Sequence, residues 1–415
     1  MTYKITAPSR IDTTIKLPAS KSISNRALII NALAGAEITP ANLSNCDDTE
    51  VMVRALRDNP YEIDIKAAGT AMRFMTAYLA VTPGEHVITG TERMRHRPIK
   101  VLVDTLRYLG ADIEYIGEEG FPPLKIRGKT LEGGKAEMPG DVSSQYVSAM
   151  LMIAPVLSNG LELHLTGNII SRPYIDLTIH IMHDYGARVE WTDVDTIVTE
   201  PSGYQGRDFV IENDWSGASY WYETLALLGD SESKVYLPGL IDASRQGDSG
   251  VRYLFSMLGV KTQFEDMTNI CPTTVTLKAM RSMLPRLDFD FSGQPDLAQT
   301  FVVTCAAMNI PFRFTGLATL RIKESDRINA LKREMSKLGF VIREENNSEL
   351  VWDGERCTPT MDPIDTYEDH RMAMAFAPAA IKFPGLKINA PEVVTKSYPA
   401  FWEDLRHAGF IIEEE

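Results

Sequence analysis

Five times along the chain an apolar helical run ends at a glycine and passes straight into a short alternating stretch. The copies are LRYLGADIEY around Gly110, IMHDYGARVEW around Gly186, LFSMLGVKTQF around Gly259, EMSKLGFVIRE around Gly339 and DLRHAGFIIEE around Gly409. Their glycines stand roughly 70 to 80 residues apart, and a degenerate sixth copy, VRALRDNPYEIDI, covers Val53 to Ile65. The residue after such a helix must take the left-handed conformation, which glycine adopts without a Cβ penalty, and the alternation that follows marks a half-buried strand. One helix and one strand cannot bury their apolar faces alone, so six αβ units must pack around shared cores. The period exceeds the roughly 20 to 50 residues of solenoid repeats, which predicts compact lobes of three units each.

A chain of 415 residues with 44% hydrophobic content can bury two such cores. The net charge of -14 argues against a general nucleic-acid or membrane binder, which needs a broad basic surface. It leaves open small anionic substrates, which require only a local group of cations. Cys46, Cys271, Cys305 and Cys357 lack CxxC spacing, so neither a zinc site nor a disulfide framework is expected. His180 and His183 are three apart on a predicted helix but have no third ligand at suitable spacing, and no metal is assigned. MTYKITAPSR has no apolar signal run, and no later segment is long and apolar enough to span a bilayer. A soluble, cytoplasmic protein is expected.

The polar residues gather where helices begin. In LPASKSISNRAL, Lys21 and Ser22 open a helix and Arg26 follows one turn on, opposite the apolar Ile23, Ala27, Ile30 and Ala34. A helix N-terminus already favours anions through its free N–H groups and its dipole. KAAGTAMRF places Gly69, Thr70 as a possible cap, and Arg73 in the same relation, and RMRHRPI adds a loop rich in arginine that includes Arg97. GDVSSQY sets Ser143, Ser144 and Gln145 at the head of an apolar helix, and SRPYIDL puts Ser171 at a cap position with Tyr174 close by. Later come Asp296 after Pro295, then Lys323, Glu324 and Arg327 in RIKESDR, His370 and Arg371 in DHRMAM, and Lys396 before the last helix. Singly, these read as caps, dipole partners or solvated loops. Together they predict one cleft between the lobes, lined by cations from both halves and suited to substrates with several negative charges.

LPASKSISNRA, GTAMRF, RMRHRPI, SSQY, SRPYIDLT, RIKESDR and DHRMAM, in that order, make the chain resemble the 5-enolpyruvylshikimate-3-phosphate synthase family of enolpyruvyl transferases over essentially its whole length. The resemblance implies an α/β fold of two similar lobes, each of three βαβαββ units, arranged as an inside-out α/β barrel. It places residues 19–212 in the first lobe and residues 1–18 with 213–415 in the second. It implies a reaction of phosphoenolpyruvate with the 5-hydroxyl of shikimate 3-phosphate through a tetrahedral intermediate, without cofactor or metal, in a monomer. Asp296 then resembles the base for the hydroxyl, Glu324 the acid and base at the enol methylene, and Lys21 the catalytic residue that contacts both reactants and assists proton transfer. Lys21, Ser22, Arg26, Ser143, Ser144, Gln145, Ser171, Tyr174, Asp296 and Lys323 resemble the shikimate 3-phosphate contacts. Lys21, Gly69, Arg97, Gln145, Arg327, Arg371 and Lys396 resemble those for phosphoenolpyruvate.

Two positions depart from the family pattern: Thr319 stands where an asparagine is usual, and Phe74 follows Arg73 where a proline is usual. A sister family transfers enolpyruvyl to UDP-N-acetylglucosamine and carries a cysteine in the loop matching Arg93 to Arg97, which here has none. A non-catalytic anion-binding protein of the same fold would be marked by loss of Asp296 or Glu324, and both are present.

Overall fold

The computed structural model describes residues 1–36, 39–266 and 271–415. Two compact units emerge: Ala19–Ile211, and Met1–Pro18 together with Glu212–Glu415. The boundary falls one residue before the expected one. Glu212 is buried and its carboxylate accepts hydrogen bonds from Trp215, Ile241, Ser244 and Gln246, all in the second unit.

The repeat takes physical form as one sheet topology used several times. In the first unit, Glu62–Asp64 runs parallel to Gly84–Thr89, which pairs antiparallel with Leu124–Gly128, and that in turn with Asp112–Tyr115. Gly134–Pro139, Leu161–Thr166, Thr196–Thr199 and Val189–Trp191 repeat the order and the directions. In the second unit so do Leu287–Asp290, Phe312–Thr315, Glu349–Trp352 and Arg343–Glu345.

The remaining sheets explain why the chain begins in the second unit. Asp12–Thr14 lies parallel to Lys234–Leu240 as the opening strand of a fourth copy. Thr2–Thr6 is antiparallel to both Leu386–Asn389 and Ile411–Glu414, and so closes the last copy. The degenerate copy differs from its reading in sequence. Its helix Asp47–Asp58 does end in a left-handed residue, Asn59 with φ 41°, but the strand that follows opens the next sheet instead of closing its own. Among the described residues, a parallel bridge joins Ala41 and Val210 here.

All five repeat glycines have φ between 82° and 99°. Around Gly110 the Gly110 amide donates to the Arg107 carbonyl and the Ala111 amide to that of Leu106, each at 2.9 Å, the paired bonds of a Schellman ending.

Within each repeat, the helix after the first strand is apolar on every side. Ala298–Ala307 and His370–Phe376 are buried at every residue, and Gly69–Val81 and Ser144–Ile153 at nearly every one. The second helix of each repeat, such as Lys100–Tyr108, buries a single stripe. Inner helices pack on one another beneath the sheets, so each unit has its own core, which is the inside-out arrangement. An inner helix enclosed along its length offers chemistry from its N-terminal end and the loop before it. Among the described residues, no helix is long and apolar enough to cross a membrane.

Candidate active site

In the unit Ala19–Ile211, the Ser20 hydroxyl caps the helix Lys21–Leu33 by accepting from the Ile23 amide. Lys21 and Ser22 stay partly exposed, and the Lys21 ammonium lies 3.0 Å from the Asp48 carboxylate. Arg26 does not lie open on a polar face as its spacing from Ser22 predicts. This is an inner helix, and its polar side meets the starts of neighbouring helices. The guanidinium donates to Thr178 Oγ1 at 2.7 Å, to the Ser22 carbonyl at 3.0 Å, to Ser148 Oγ at 3.1 Å and to the Tyr174 carbonyl at 3.3 Å. Burial pulls its pKa down to about 10, and its charge also sits 5.3 Å from the centre of the Phe74 ring.

Arg73 is a brace. It is buried and donates to the Gly69 carbonyl at 3.1 Å and the Pro98 carbonyl at 3.0 Å, tying the arginine loop to the inner helix. The Tyr146 hydroxyl donates to the same Pro98 carbonyl. Of the arginines in RMRHR, Arg93 and Arg95 are exposed, while Arg97 turns in over Gly69. A Cβ at position 69 would stand 2.7 Å from Arg97 Nη1 and 3.0 Å from Nη2, so glycine there keeps the guanidinium's place open.

Thr70 does not cap the helix Gly69–Val81. Its cap position is Ala68, and the Thr70 hydroxyl accepts from the Gln145 amide at 3.2 Å. Ser143 caps Ser144–Ile153 by accepting from the Gln145 backbone amide, which leaves Ser144 buried at the helix start. Ser171 sits at the head of Arg172–Asp184 with φ 52°, a left-handed conformation unusual for serine, and its side chain accepts no capping bond. His183 accounts for itself locally, with a ring nitrogen 2.6 Å from the Val189 carbonyl.

In the second unit the predicted residues converge on ion pairs. Asp296 opens a short 3-10 turn, Pro295–Leu297, before the inner helix Ala298–Ala307. Its carboxylate lies 3.0 Å from Arg371, 3.1 Å from Arg327 and 3.5 Å from Lys323. Glu324 pairs with Arg327 at 2.9 Å and with Lys396 at 3.1 Å. The charged residues at the start of Arg327–Lys337 do not all lie outside its buried stripe, because Arg327 is itself only 1% exposed.

The residue that makes this possible is one the sequence reading passed over. Asp369 is wholly buried and accepts from Arg327 Nε at 2.7 Å and Nη2 at 3.2 Å, from Ser325 Oγ at 3.0 Å and from the Arg371 amide at 3.0 Å. It caps the helix His370–Phe376 and holds the Arg327 fork in two-point contact. Its available signal was an acidic residue directly before an apolar helix. Tyr220, whose hydroxyl accepts from Arg371 at 3.5 Å, carried no signal in sequence at all.

Burial alone would push the Asp296 carboxyl up, but Arg371, Lys323 and Arg327 outweigh it and hold the group well below the usual carboxylate range. Burial would likewise lower Arg327, and Asp369, Glu324 and Asp296 together raise it instead. A permanently charged guanidinium therefore joins two ionisable carboxylates, one on each side. That arrangement can hold an anion while moving protons at two separate atoms. Among the described residues, no group of three His, Cys, Asp or Glu side chains is placed to hold a metal.

The family model described as EPSP synthase (3-phosphoshikimate 1-carboxyvinyltransferase) matches residues 5–59 and 58–405. A 3-phosphoshikimate 1-carboxyvinyltransferase of Bacteroides fragilis is 56% identical over 100% of this chain and 99% of its own. One from Photobacterium profundum is 35% identical over 96% of each. An EPSP synthase structure from Acinetobacter baumannii superposes with a TM-score of 0.77 over 100% of both chains at 22% identity, a likeness of fold.

Proposed function

The chain belongs to the EPSP synthase (3-phosphoshikimate 1-carboxyvinyltransferase) family, and from that premise we propose how its residues share the reaction. It transfers the enolpyruvyl group of phosphoenolpyruvate to the 5-hydroxyl of shikimate 3-phosphate and releases phosphate, a step of the shikimate pathway to aromatic amino acids. In the addition step the hydroxyl oxygen bonds to C2 of phosphoenolpyruvate. Asp296 takes the hydroxyl proton and Glu324 delivers a proton to C3. In the elimination step Glu324 takes a proton back from C3 as the C2–O bond to phosphate breaks.

The observation that carries this reading is the Arg327 guanidinium shared between Asp296 at 3.1 Å and Glu324 at 2.9 Å. A carboxylate held far below its normal range is a poor base. The carboxylate and phosphate of phosphoenolpyruvate compete for Arg327, Arg371 and Lys396, and in taking them they leave Asp296 more basic at the moment of reaction. Arg97 over Gly69, with Lys21 and Gln145, supplies the rest of the phosphoenolpyruvate contacts. Lys21, Ser22, Arg26, Ser143, Ser144, Gln145, Ser171, Tyr174 and Lys323, with Asp296, take shikimate 3-phosphate. The enzyme works as a cytoplasmic monomer, and its net charge of -14 supports the reading that it has no nucleic-acid or membrane partners.

The test is phosphate release from phosphoenolpyruvate, with shikimate 3-phosphate in one reaction and UDP-N-acetylglucosamine in another. Release is expected in the first only. Release confined to the second would overturn the reaction, and kinetics of variants at Asp296 and Glu324 test the roles.

A further inference from the structure

Asp369 and Arg371 follow an unusual piece of backbone. Tyr367 and Glu368 have φ 54° and 56°, and the Asp369 amide donates to the Thr366 carbonyl at 2.8 Å. Two successive left-handed residues closed by that bond are the signature of a type I′ turn, whose central positions normally take Asn-Gly. Here they are Tyr-Glu, and neither side chain favours that conformation. Strained turns persist only where their surroundings determine them.

The surroundings are visible. The Tyr367 hydroxyl donates to Glu334 Oε1 at 2.5 Å, and Glu334 Oε2 accepts from the Asp365 amide at 2.9 Å and lies 2.7 Å from the Lys337 ammonium. Lys337 also donates to the Asp365 carboxylate at 2.9 Å, and Asn389 donates to its other oxygen at 2.8 Å. Glu334 is fully buried. Burial, with Glu334 beside it, raises the Tyr367 phenol to about 12, so the hydroxyl remains a donor at neutral pH.

Glu334 lies seven residues after Arg327 on the helix Arg327–Lys337, two turns along the same face. One helix therefore grips the turn twice, Arg327 on Asp369 at its end and Glu334 on Tyr367 in its middle. We propose that Tyr367 and Glu334 are positioning residues for the reaction: their hydrogen bond holds the strained Tyr367–Glu368 turn and so sets Asp369 and Arg371 against Arg327 and Asp296. The inference rests on the assignment of Arg327 and Arg371 to phosphoenolpyruvate. Neither Tyr367 nor Glu334 is a catalytic residue, since both act through Asp369.

The experiment uses Tyr367→Phe, Glu368→Gly and the double variant in the full chain, with Arg371→Ala as control, and reads kcat and KM for phosphoenolpyruvate beside the thermal midpoint. Tyr367→Phe is expected to lower kcat/KM for phosphoenolpyruvate by about 10- to 100-fold, as misaimed charges do. Glycine at 368 takes a positive φ without strain, so the double variant is expected to recover most of that loss. A merely structural hydrogen bond would lower the midpoint without this rescue. Wild-type kcat/KM in Tyr367→Phe, or a double variant as impaired as the single one, would overturn the proposal. If Arg371→Ala is impaired while Tyr367→Phe is not, this inference alone fails. If Arg371→Ala is unimpaired, the assignment beneath it fails.

Discussion

The two units hold their cations in opposite ways. In Ala19–Ile211, Arg26 and Arg73 donate to hydroxyls, carbonyls and one thioether, and Lys21 meets the Asp48 carboxylate. In the other unit, Lys323, Arg327, Arg371 and Lys396 meet Asp296, Glu324 and Asp369. Neutral oxygens orient a cation without cancelling its charge, which suits the grip on a permanent dianion. Carboxylate partners cancel most of the charge but bring groups that can give and take protons. On the proposed assignment, one repeated fold thus supplies a binding half and a proton-handling half by changing what stands beside the same helix starts.

The comparison breaks most sharply at the carboxylates. Asp296→Asn or Glu324→Gln is expected to lower kcat by about 10²- to 10⁴-fold with the KM values largely kept, the range for a positioned acid or base. Near-normal turnover in either variant, measured by phosphate release, would remove that residue from proton transfer and leave the second unit a binding half as well.

Arg26→Lys sharpens the other side. Lysine keeps the charge but loses the fork that reaches Thr178 and Ser148 together. The KM for shikimate 3-phosphate is expected to rise by about 10- to 100-fold, the worth of hydrogen bonds to a charged group, with kcat changed far less. A fall in kcat with KM kept would mean that this half also takes part in the chemistry.

How much of this could be read in the sequence follows from how local each cause is. The glycine at Gly110 and its four counterparts was legible because a helix ending and the strand after it lie within about ten residues. The buried run in AQTFVVTCAA was legible for the same reason. That Thr2–Thr6 would close a sheet with Leu386–Asn389 was not, because strand pairing across the whole chain leaves no local mark; family resemblance implied only that residues 1–18 join the second lobe. The site divides likewise. Helix starts advertised Lys21, Ser143, Asp296 and Arg371, but spacing could not reveal that Arg26 is enclosed, that Arg73 is a brace, or that Asp369 organises Arg327. Those facts depend on which helix stands next to which.

A smaller effect separates two carboxyls inside the second unit. Asp296, depressed in the fold, contributes stability that is present above the ordinary aspartate value of about 3.9 and is lost as pH falls through its folded pKa. Acid unfolding of Asp296→Asn is therefore expected to depend less steeply on pH below about 4 than that of the parent. An unchanged slope would mean that the ion pairs around Asp296 do not persist in solution.

Glu223 should behave with the opposite sign. It lies fully buried in the inner helix Trp215–Leu228, and neither carboxyl oxygen has a hydrogen-bond partner among the described residues. The nearby Thr304 hydroxyl is committed to the Thr300 carbonyl, and burial pushes the Glu223 carboxyl well above its ordinary value. A raised folded pKa gives stability that is whole below the ordinary glutamate value of about 4.3 and is lost as pH rises through the folded one. Glu223→Gln replaces a group that must stay protonated by one that is always neutral. Its thermal midpoint is expected to match the parent near pH 4 and to exceed it by a few degrees, roughly 2–4 °C per kcal/mol, at pH 8. Catalysis should be unaffected, because the helix presents Glu223 to the core and not to the ion pairs at the helix starts. A midpoint difference that stays constant from pH 4 to pH 8 would show that Glu223 finds a charged partner in solution, and the contrast between the two carboxyls would then reduce to packing.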